Sequence, residues 1–284
     1  MSAIARPSTQ VPVPQARPAP DWPASLRAVV RRGLRDQRRS ILTWGLSLGV
    51  YGAFMASIYP SIQNSVEKIA KNYPESLKQA FGVQAMSTVE GYIHAEMFSL
   101  IVPLALGFFA IRAIAGATVG AEERGRLDTI LALPISRRVL ITGAYLVTAV
   151  ACALIMAMTG VMIYLAARIA GTSISLGLVA AGVMGVWPLT LLFAGVAALA
   201  AGALHSARTV TGLGLGTLVG MYAVDLAGRL APSLDPIRWA SAFRYYGAPM
   251  RDGIDPVSFL GLAGVGVLLL LAAAVLFDRR DVLN

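Results

Sequence analysis

The sequence has few of the residues that carry out enzyme chemistry. Its 284 residues include one cysteine, two histidines and three lysines, and charged residues make up 14%, against about 25% in an average soluble domain. The single cysteine, Cys152, excludes a disulfide within the chain and a metal site built from cysteines. His94 and His205 do not form an H-E-x-x-H pair, and no G-x-S-x-G motif occurs. We therefore expect no catalytic residue, no metal site and no enzymatic activity of this chain.

The sequence also lacks a loop that could bind a nucleotide. No G-x-x-x-x-G-K-[ST] motif is present, and no glycine is followed by a lysine. The lysine of such a loop contacts the β- and γ-phosphates, whereas all three lysines of this chain lie within 61–95. If the chain takes part in an ATP-driven process, ATP and Mg²⁺ must be bound by another polypeptide, and we expect no cofactor on this one.

Long apolar segments dominate what is present. Hydrophobic residues make up 56% of the sequence and the mean hydropathy is +0.67. Because a helix that crosses a bilayer needs about 20 apolar residues, we predict an all-α polytopic membrane protein with one transmembrane domain over 21–284. Its six predicted spans are 41–60, 96–118, 139–167, 176–204, 209–228 and 257–277. Residues 1–20 contain five prolines and are predicted to form a disordered cytoplasmic tail.

The distribution of positive charge predicts the orientation. With the N-terminus inside, the inner segments carry 15 Lys and Arg residues and the outer segments carry 8. This bias favours cytoplasmic termini. The net charge of +9 is explained by arginines beside the apolar spans, so no nucleic-acid partner is expected. Abundant Ala, Gly and Arg indicate a GC-rich bacterium, and we expect a multi-pass protein of the bacterial cell membrane.

Ionisable groups within the spans are few and lie away from the middle of the bilayer. Arg112 is close enough to the inner end of its span to reach the headgroups, and Glu96 lies at the outer mouth of the same span. Asp225 is predicted to pair with Arg229 one turn later on the helix. Because ion-driven carriers need ionisable groups near the midplane, a proton- or sodium-driven carrier is disfavoured.

Three further segments have helical or interfacial patterns. Residues 22–39 are predicted to form an amphipathic interfacial helix whose stripe of Arg27, Arg31 and Arg35 faces anionic headgroups, or alternatively a basic flank that only fixes orientation. The stretch 61–95 is predicted to be an amphipathic helix interrupted near Pro74, and 229–256 to form short helices at the outer interface. An aromatic cluster suited to the headgroup layer lies in 229–256: Trp239, Phe243, Tyr245 and Tyr246.

Glycines repeat at helical spacing in the fifth predicted span. Gly212, Gly216 and Gly220 fall on one face of a helix, where small residues allow close approach of another helix. They predict either packing within one subunit or a surface at a subunit interface beside a substrate path.

The most informative segment is 121–138, which reads AEERGRLDTILALPISRR. Its charges exclude it from the bilayer core, so it is predicted to lie at a membrane face between the second and third spans. Residues 121–132 should be helical, Pro134 should end the helix, and Ser136 should cap the next one.

This segment resembles the type-2 ATP-binding-cassette (ABC) transporter permease family, in which an E-E-R-G-x-L…L-P-x-S-R-R stretch forms a coupling helix that docks on the ATPase subunit. The resemblance covers about 22–284 and implies two permease halves, equal or different, with two ATPase subunits. The docking residues that it implies are Glu122, Glu123, Arg124, Leu127, Asp128, Ile130 and Leu131.

The resemblance implies the permease subunit of an ATP-driven exporter for an amphiphilic substrate, such as a drug, an antibiotic or a lipid. Two alternatives stay open: a membrane scaffold or assembly factor without ATP coupling, and a secondary carrier.

Overall fold

The computed structural model describes residues 22–72, 88–124 and 136–279, and these are almost entirely helical with no strand among them. The predicted tail 1–20 and the predicted interruption near Pro74 lie outside the described residues. The principal helices, numbered along the described chain, are α1 (Trp22–Asn72), α2 (Val89–Ile93), α3 (Ile101–Ala117), α4 (Val119–Glu123), α5 (Arg137–Ile169), α6 (Leu176–Ala203), α7 (Ala207–Leu230), α8 (Ala242–Tyr246), α9 (Pro249–Asp252) and α10 (Pro256–Arg279).

Five of the described helices are long and apolar enough to cross a membrane, namely α1, α5, α6, α7 and α10. A sixth span is formed if the bent pair Val89–Phe98 and Ile101–Ala117 counts as one crossing. The predicted all-helical membrane fold is confirmed, with five to six spans in place of six.

The second span is bent by 42° where a straight helix over 96–118 was expected. His94–Phe98 is a single π-helical segment, and α3 begins three residues beyond it. Pro103 lies in the first turn of α3 and has no N–H to donate to the carbonyl of Ser99. Proline is well suited to the first turn of a helix, where the missing N–H would have no partner within the helix, and its position here agrees with a new helix start after the bend.

The predicted interfacial helix 22–39 and the predicted span 41–60 form one continuous 51-residue helix, α1. This helix runs parallel to α5 and packs closely on it at several glycines, of which Gly33 and Gly143 are examples. A Cβ added to Gly33 would lie 2.6 Å from Val147 Cγ2, and one added to Gly143 would lie 2.6 Å from Val29 Cγ1. The apolar face of 22–39 was expected in the acyl boundary, and at Val29 it packs instead on another membrane helix.

The middle of the bundle is α6, which packs against α3, α5 and α10. Two hydrogen bonds join it to α5: Trp187 Nε1 donates to the Ala149 carbonyl at 2.9 Å in a partly buried position, and the buried Tyr145 hydroxyl donates to the Leu191 carbonyl at 3.1 Å. Cys152 lies three residues after Ala149 on α5 and is fully buried. Such bonds fix the two helices in register, because the alternative is an unsatisfied polar group in an apolar interior.

Polar contacts join neighbouring helices at both ends of the bundle. We call one end of the bundle the Glu123 end; it contains the start of α5, the end of α6, the start of α7 and the end of α10. Here Arg138 pairs with Asp278 at 2.8 Å. At the Arg238 end, Glu90 accepts a hydrogen bond from the Ser175 amide at 2.8 Å. The Glu123 end is the one that the charge bias predicts to be cytoplasmic.

Short helices form most of the Arg238 end between α7 and α10. The 3₁₀ helix Pro232–Ala240 is followed by α8 and α9, as the pattern over 229–256 predicted. Gly247 and Gly253 end α8 and α9 with φ of 64° and 84°, in the left-handed region that glycine enters without steric cost. This arrangement brings several arginines from consecutive short elements into one place.

Candidate functional site

The predicted coupling segment is described in part. Glu122 and Glu123 close the short helix α4, and Arg124 follows as its C-cap. Four of the predicted docking residues lie outside the described residues: Leu127, Asp128, Ile130 and Leu131. Their contact with an ATPase stays a prediction.

Glu123 is bonded within the chain. Its carboxylate accepts a hydrogen bond from the Ala207 amide at 2.9 Å, at the first residue of α7. The side chain of the N-cap Ser206 does not form the capping bond, so a carboxylate from another helix satisfies an amide that the helix itself leaves free. The consequence is a direct link from α4 to α7, which sequence reasoning missed because it joins residues 84 positions apart.

Arg124 also acts within the chain. Its guanidinium donates to the Gly116 carbonyl at 2.9 Å, near the C-terminal end of α3. Ser136, on the far side of the segment, caps α5 as predicted, because its hydroxyl accepts a hydrogen bond from the Val139 amide. The residues on either side of 125–135 are thus held to the ends of the second, third and fifth spans.

Replacement of Glu123 by alanine is expected to destabilise the chain by about 0.5–2 kcal/mol, the usual loss for a capping side chain. The physical reason is the unpaired amide at Ala207. Thermal unfolding of the purified chain in detergent would measure this. Glu123→Gln keeps an acceptor and should recover most of the loss, whereas equal losses in both variants would contradict a capping role.

The glycine stripe of α7 faces away from the rest of the chain. A Cβ added to Gly212, Gly216 or Gly220 would meet no atom of the described residues within 4 Å. Gly214 behaves differently, since a Cβ there would lie 2.7 Å from Cγ2 of Ile111 on α3. Close packing within the subunit therefore explains Gly214, and it does not explain the other three among the described residues.

A buried ion cluster lies where α7 ends. Asp225 is 2% exposed and pairs with Arg229 at 2.7 Å, as the i, i+4 spacing predicted. The second partner of Asp225 was not predicted. It is Arg238 of the 3₁₀ helix, whose Nε donates to Asp225 at 2.9 Å and whose Nη1 donates to Asp235 at 2.8 Å. A buried carboxylate with two guanidiniums is fully compensated, so the cluster ties the 3₁₀ helix to α7.

Two further arginines lie beside this cluster. The Arg244 guanidinium contacts Asp235 at 3.4 Å and stacks over the ring of Trp239 at 4.3 Å from its centroid. Arg251 donates twice to Asp252, at 2.7 and 2.6 Å, and these hydrogen bonds lower the pKa of the Asp252 carboxyl. The Asp252 carboxyl is therefore charged at neutral pH.

The aromatic cluster is divided between the surface and the interior. Trp239 is 62% exposed and Tyr245 is exposed as well, and their location in the headgroup layer stays a prediction. Phe243 and Tyr246 are buried, and the Tyr246 hydroxyl donates to the Phe98 carbonyl at 3.0 Å. That hydrogen bond satisfies one of the carbonyls freed at the bend of the second span.

Three isolated polar residues lie in different settings. His205 is exposed at the Glu123 end. His94, expected to be an interfacial polar residue, is buried in the π-helical segment, and its Nδ1 has no hydrogen-bond partner among the described residues. Arg112 is exposed on the surface of α3.

These features define a multi-pass helical membrane protein with polar contacts at both ends of its bundle. The family model described as "Multidrug efflux system permease Rv1217c, C-terminal domain" matches residues 26–278. Because the match covers most of the chain, this protein belongs to that family. No curated protein sequence matches the chain. Membership of a permease family agrees with the resemblance noted in the sequence, while the type-2 ABC assignment is a finer prediction.

Proposed function

We propose that this chain is the membrane-spanning subunit of a type-2 ABC exporter. Two permease halves and two ATPase subunits form the transporter, and only the ATPases bind ATP and Mg²⁺. An amphiphilic substrate, such as a drug, an antibiotic or a lipid-like molecule, leaves between the halves. The description of the family as a multidrug efflux permease supports the export of drugs.

The observation that carries the proposal is the hydrogen bond from the Ala207 amide to Glu123. An ATPase subunit that binds the segment 121–134 would move α4. Because of this hydrogen bond, the start of α7 would move with it. The same helix carries the face of Gly212, Gly216 and Gly220, which has open space beside it. Motion at the coupling segment would therefore act on the helix best suited to meet the other half.

The second permease half is proposed to pack on this glycine face. It is either a second copy of this chain or a different permease half, because glycines allow both symmetric and asymmetric close packing. The proposed location is a bacterial cell membrane with both termini in the cytoplasm, in accord with the excess of Lys and Arg in the predicted inner segments. Arg27, Arg31 and Arg35 lie on the exposed side of α1 and are proposed to contact anionic headgroups.

The double variant Leu127→Asp with Ile130→Asp tests the coupling proposal. Two carboxylates in an apolar docking surface would remain unpaired, so the variant is expected to lose ATPase copurification and at least about tenfold of export activity. The measurements are pull-down of the tagged chain with its neighbouring gene products and efflux of an amphiphilic dye from cells.

The matched control is Leu127→Met with Ile130→Met, which keeps an apolar surface of similar volume and should export normally. Membrane levels of both variants are compared by immunoblot. If no ATPase copurifies and the aspartate variant exports normally, the chain is not an ABC subunit. Export that continues in vanadate and follows an ion gradient would identify a secondary carrier, and a chain without any export activity would be a scaffold.

A further inference from the structure

A polar cavity of about 410 Å³ lies at the Arg238 end, within the 300–1,000 Å³ range of small-molecule sites. It is bounded by the π-helical segment of the second span, the end of α7 and the short helices that precede α10. The charged residues that line it are Arg229, Arg238, Arg244, Arg251, Asp235 and Asp252. The predicted function does not use this cavity, since the coupling segment lies at the other end of the bundle.

The lining has more positive charge and more hydrogen-bond donors than the protein can match. Four guanidiniums line the cavity together with the carboxylates of Asp235 and Asp252. The buried Asp225 behind them pairs with Arg229 and Arg238, so the whole group carries an excess of one positive charge. Each guanidinium has five N–H donors, and only one or two of them contact a carboxylate among the described residues. Such a site is suited to a ligand that has several acceptors and negative charge.

Unsatisfied buried groups at the cavity wall support the same conclusion. His94 lines the cavity, is 6% exposed, and its Nδ1 has no hydrogen-bond partner among the described residues. The buried Nε of Arg229 is also without a partner there. Buried polar groups in folded proteins have a hydrogen-bond partner in the great majority of cases. These two unpaired atoms therefore indicate a site in which a bound ligand would supply the missing partner.

The surface beside the cavity is apolar. Leu234, Ile237 and Trp239 of the 3₁₀ helix are 41%, 43% and 62% exposed. Exposed aliphatic and tryptophan side chains next to a basic cavity match the boundary between acyl chains and headgroups. A phosphate on a lipid could therefore enter the cavity while its chains lie along these residues.

We propose that this cavity binds a phosphate group, carried either by an anionic phospholipid headgroup or by a soluble phosphate ester. Phosphate fits the site better than a single carboxylate does, because it offers several oxygens to guanidiniums that approach from different elements. Arg244 and Arg251 are the contacts that come from the short helices, and Arg229 comes from α7. The proposal does not depend on ATP coupling.

The test uses the full chain in two settings. For the lipid source, the chain is reconstituted in nanodiscs of phosphatidylcholine alone or mixed with phosphatidylglycerol, and native mass spectrometry detects retained phosphatidylglycerol. For the soluble source, inorganic phosphate and glycerol 3-phosphate are titrated calorimetrically in a neutral detergent with chloride as the reference anion. Retention in the first setting supports a headgroup, and binding in the second supports a soluble ester.

Arg244→Gln and Arg251→Gln are each expected to weaken whichever binding is found by about tenfold or more, the loss expected for one charge-assisted hydrogen bond. The matched control is Arg168→Gln, an exposed arginine at the end of α5 that does not line the cavity. The melting temperature of each variant without ligand identifies a variant that has lost its fold. If one cavity variant is unfolded, the binding measured with the other cavity variant tests the proposal.

Two results would overturn the proposal. One is a wild-type chain that neither retains phosphatidylglycerol above the phosphatidylcholine background nor binds either phosphate compound. The other is an equal loss of binding in Arg168→Gln and in both cavity variants, which would indicate general attraction to the basic surface.

Discussion

The variant Asp225→Ala is expected to lose about 3–5 kcal/mol of its free energy of unfolding, the effect of removing one partner from a buried ion pair. Asp225 is 2% exposed and compensates Arg229 and Arg238 together. Without it, two guanidiniums that are only 27% and 20% exposed lose their shared carboxylate and repel each other. Denaturant or thermal unfolding of the full chain in detergent would measure the loss, and cells should contain much less of the variant.

The matched control is Asp278→Ala. Asp278 pairs with Arg138 at a similar distance, 2.8 Å, but the two side chains are 41% and 59% exposed. Surface ion pairs contribute about 0–1 kcal/mol, so this variant should unfold almost like the wild type. Equal losses in the two variants would show that the burial of the Asp225 cluster has no energetic importance.

The variant Gly216→Leu is expected to abolish association of two permease halves and to reduce export at least tenfold, since a bulky side chain keeps helix backbones apart. A side chain at this position meets open space within the described chain, so the stability of the isolated subunit should change by less than about 0.5 kcal/mol. Native mass spectrometry and cross-linking in membranes would measure association, and dye efflux would measure export.

Gly214→Ala should show the opposite pattern. Its added methyl group would lie 2.7 Å from Ile111, and such overpacking costs about 1–3 kcal/mol. The subunit should be less stable while association persists. A Gly216→Leu variant that still forms the dimer and exports normally would mean that the open face of α7 is occupied by lipid alone.

The sequence predicted the ion pair of Asp225 and Arg229 because one helix turn separates them. It did not predict Arg238, whose contact depends on how the 3₁₀ helix folds back on α7. These three residues illustrate why. Helix geometry determines which residues of one helix are neighbours, whereas contacts between separate helices depend on how they pack. The link from Glu123 to Ala207 was missed for the same reason.

The boundaries of the first and second spans differ from the prediction for different reasons. The arginine-rich stretch 22–39 was separated from the first span because its charge is unfavourable in lipid, yet nothing in its sequence breaks a helix, and close packing at Gly33 supports α1 through it. The bend of the second span lies just before Pro103, which removes one backbone hydrogen bond. Proline alone does not predict such a bend, because Pro60 and Pro188 lie inside the continuous helices α1 and α6.

The arginine-lined cavity could not be predicted from the sequence. Its arginines were counted as orientation signals and the aromatic residues of 229–256 as a headgroup belt, because a linear pattern does not show which residues meet. The spacing of Pro and Gly over 229–256 did predict the short helices that bring them together.

The position of Cys152 has a practical consequence for topology mapping. Thiol reagents need an accessible thiolate, and this cysteine, the only one in the sequence, is 0% exposed. The native chain should therefore not react with a maleimide reagent, so it needs no cysteine-free variant as a control. Single cysteines placed at the exposed positions of Arg168 and Arg208, which lie at opposite ends of the bundle, would report separately which compartment each end faces.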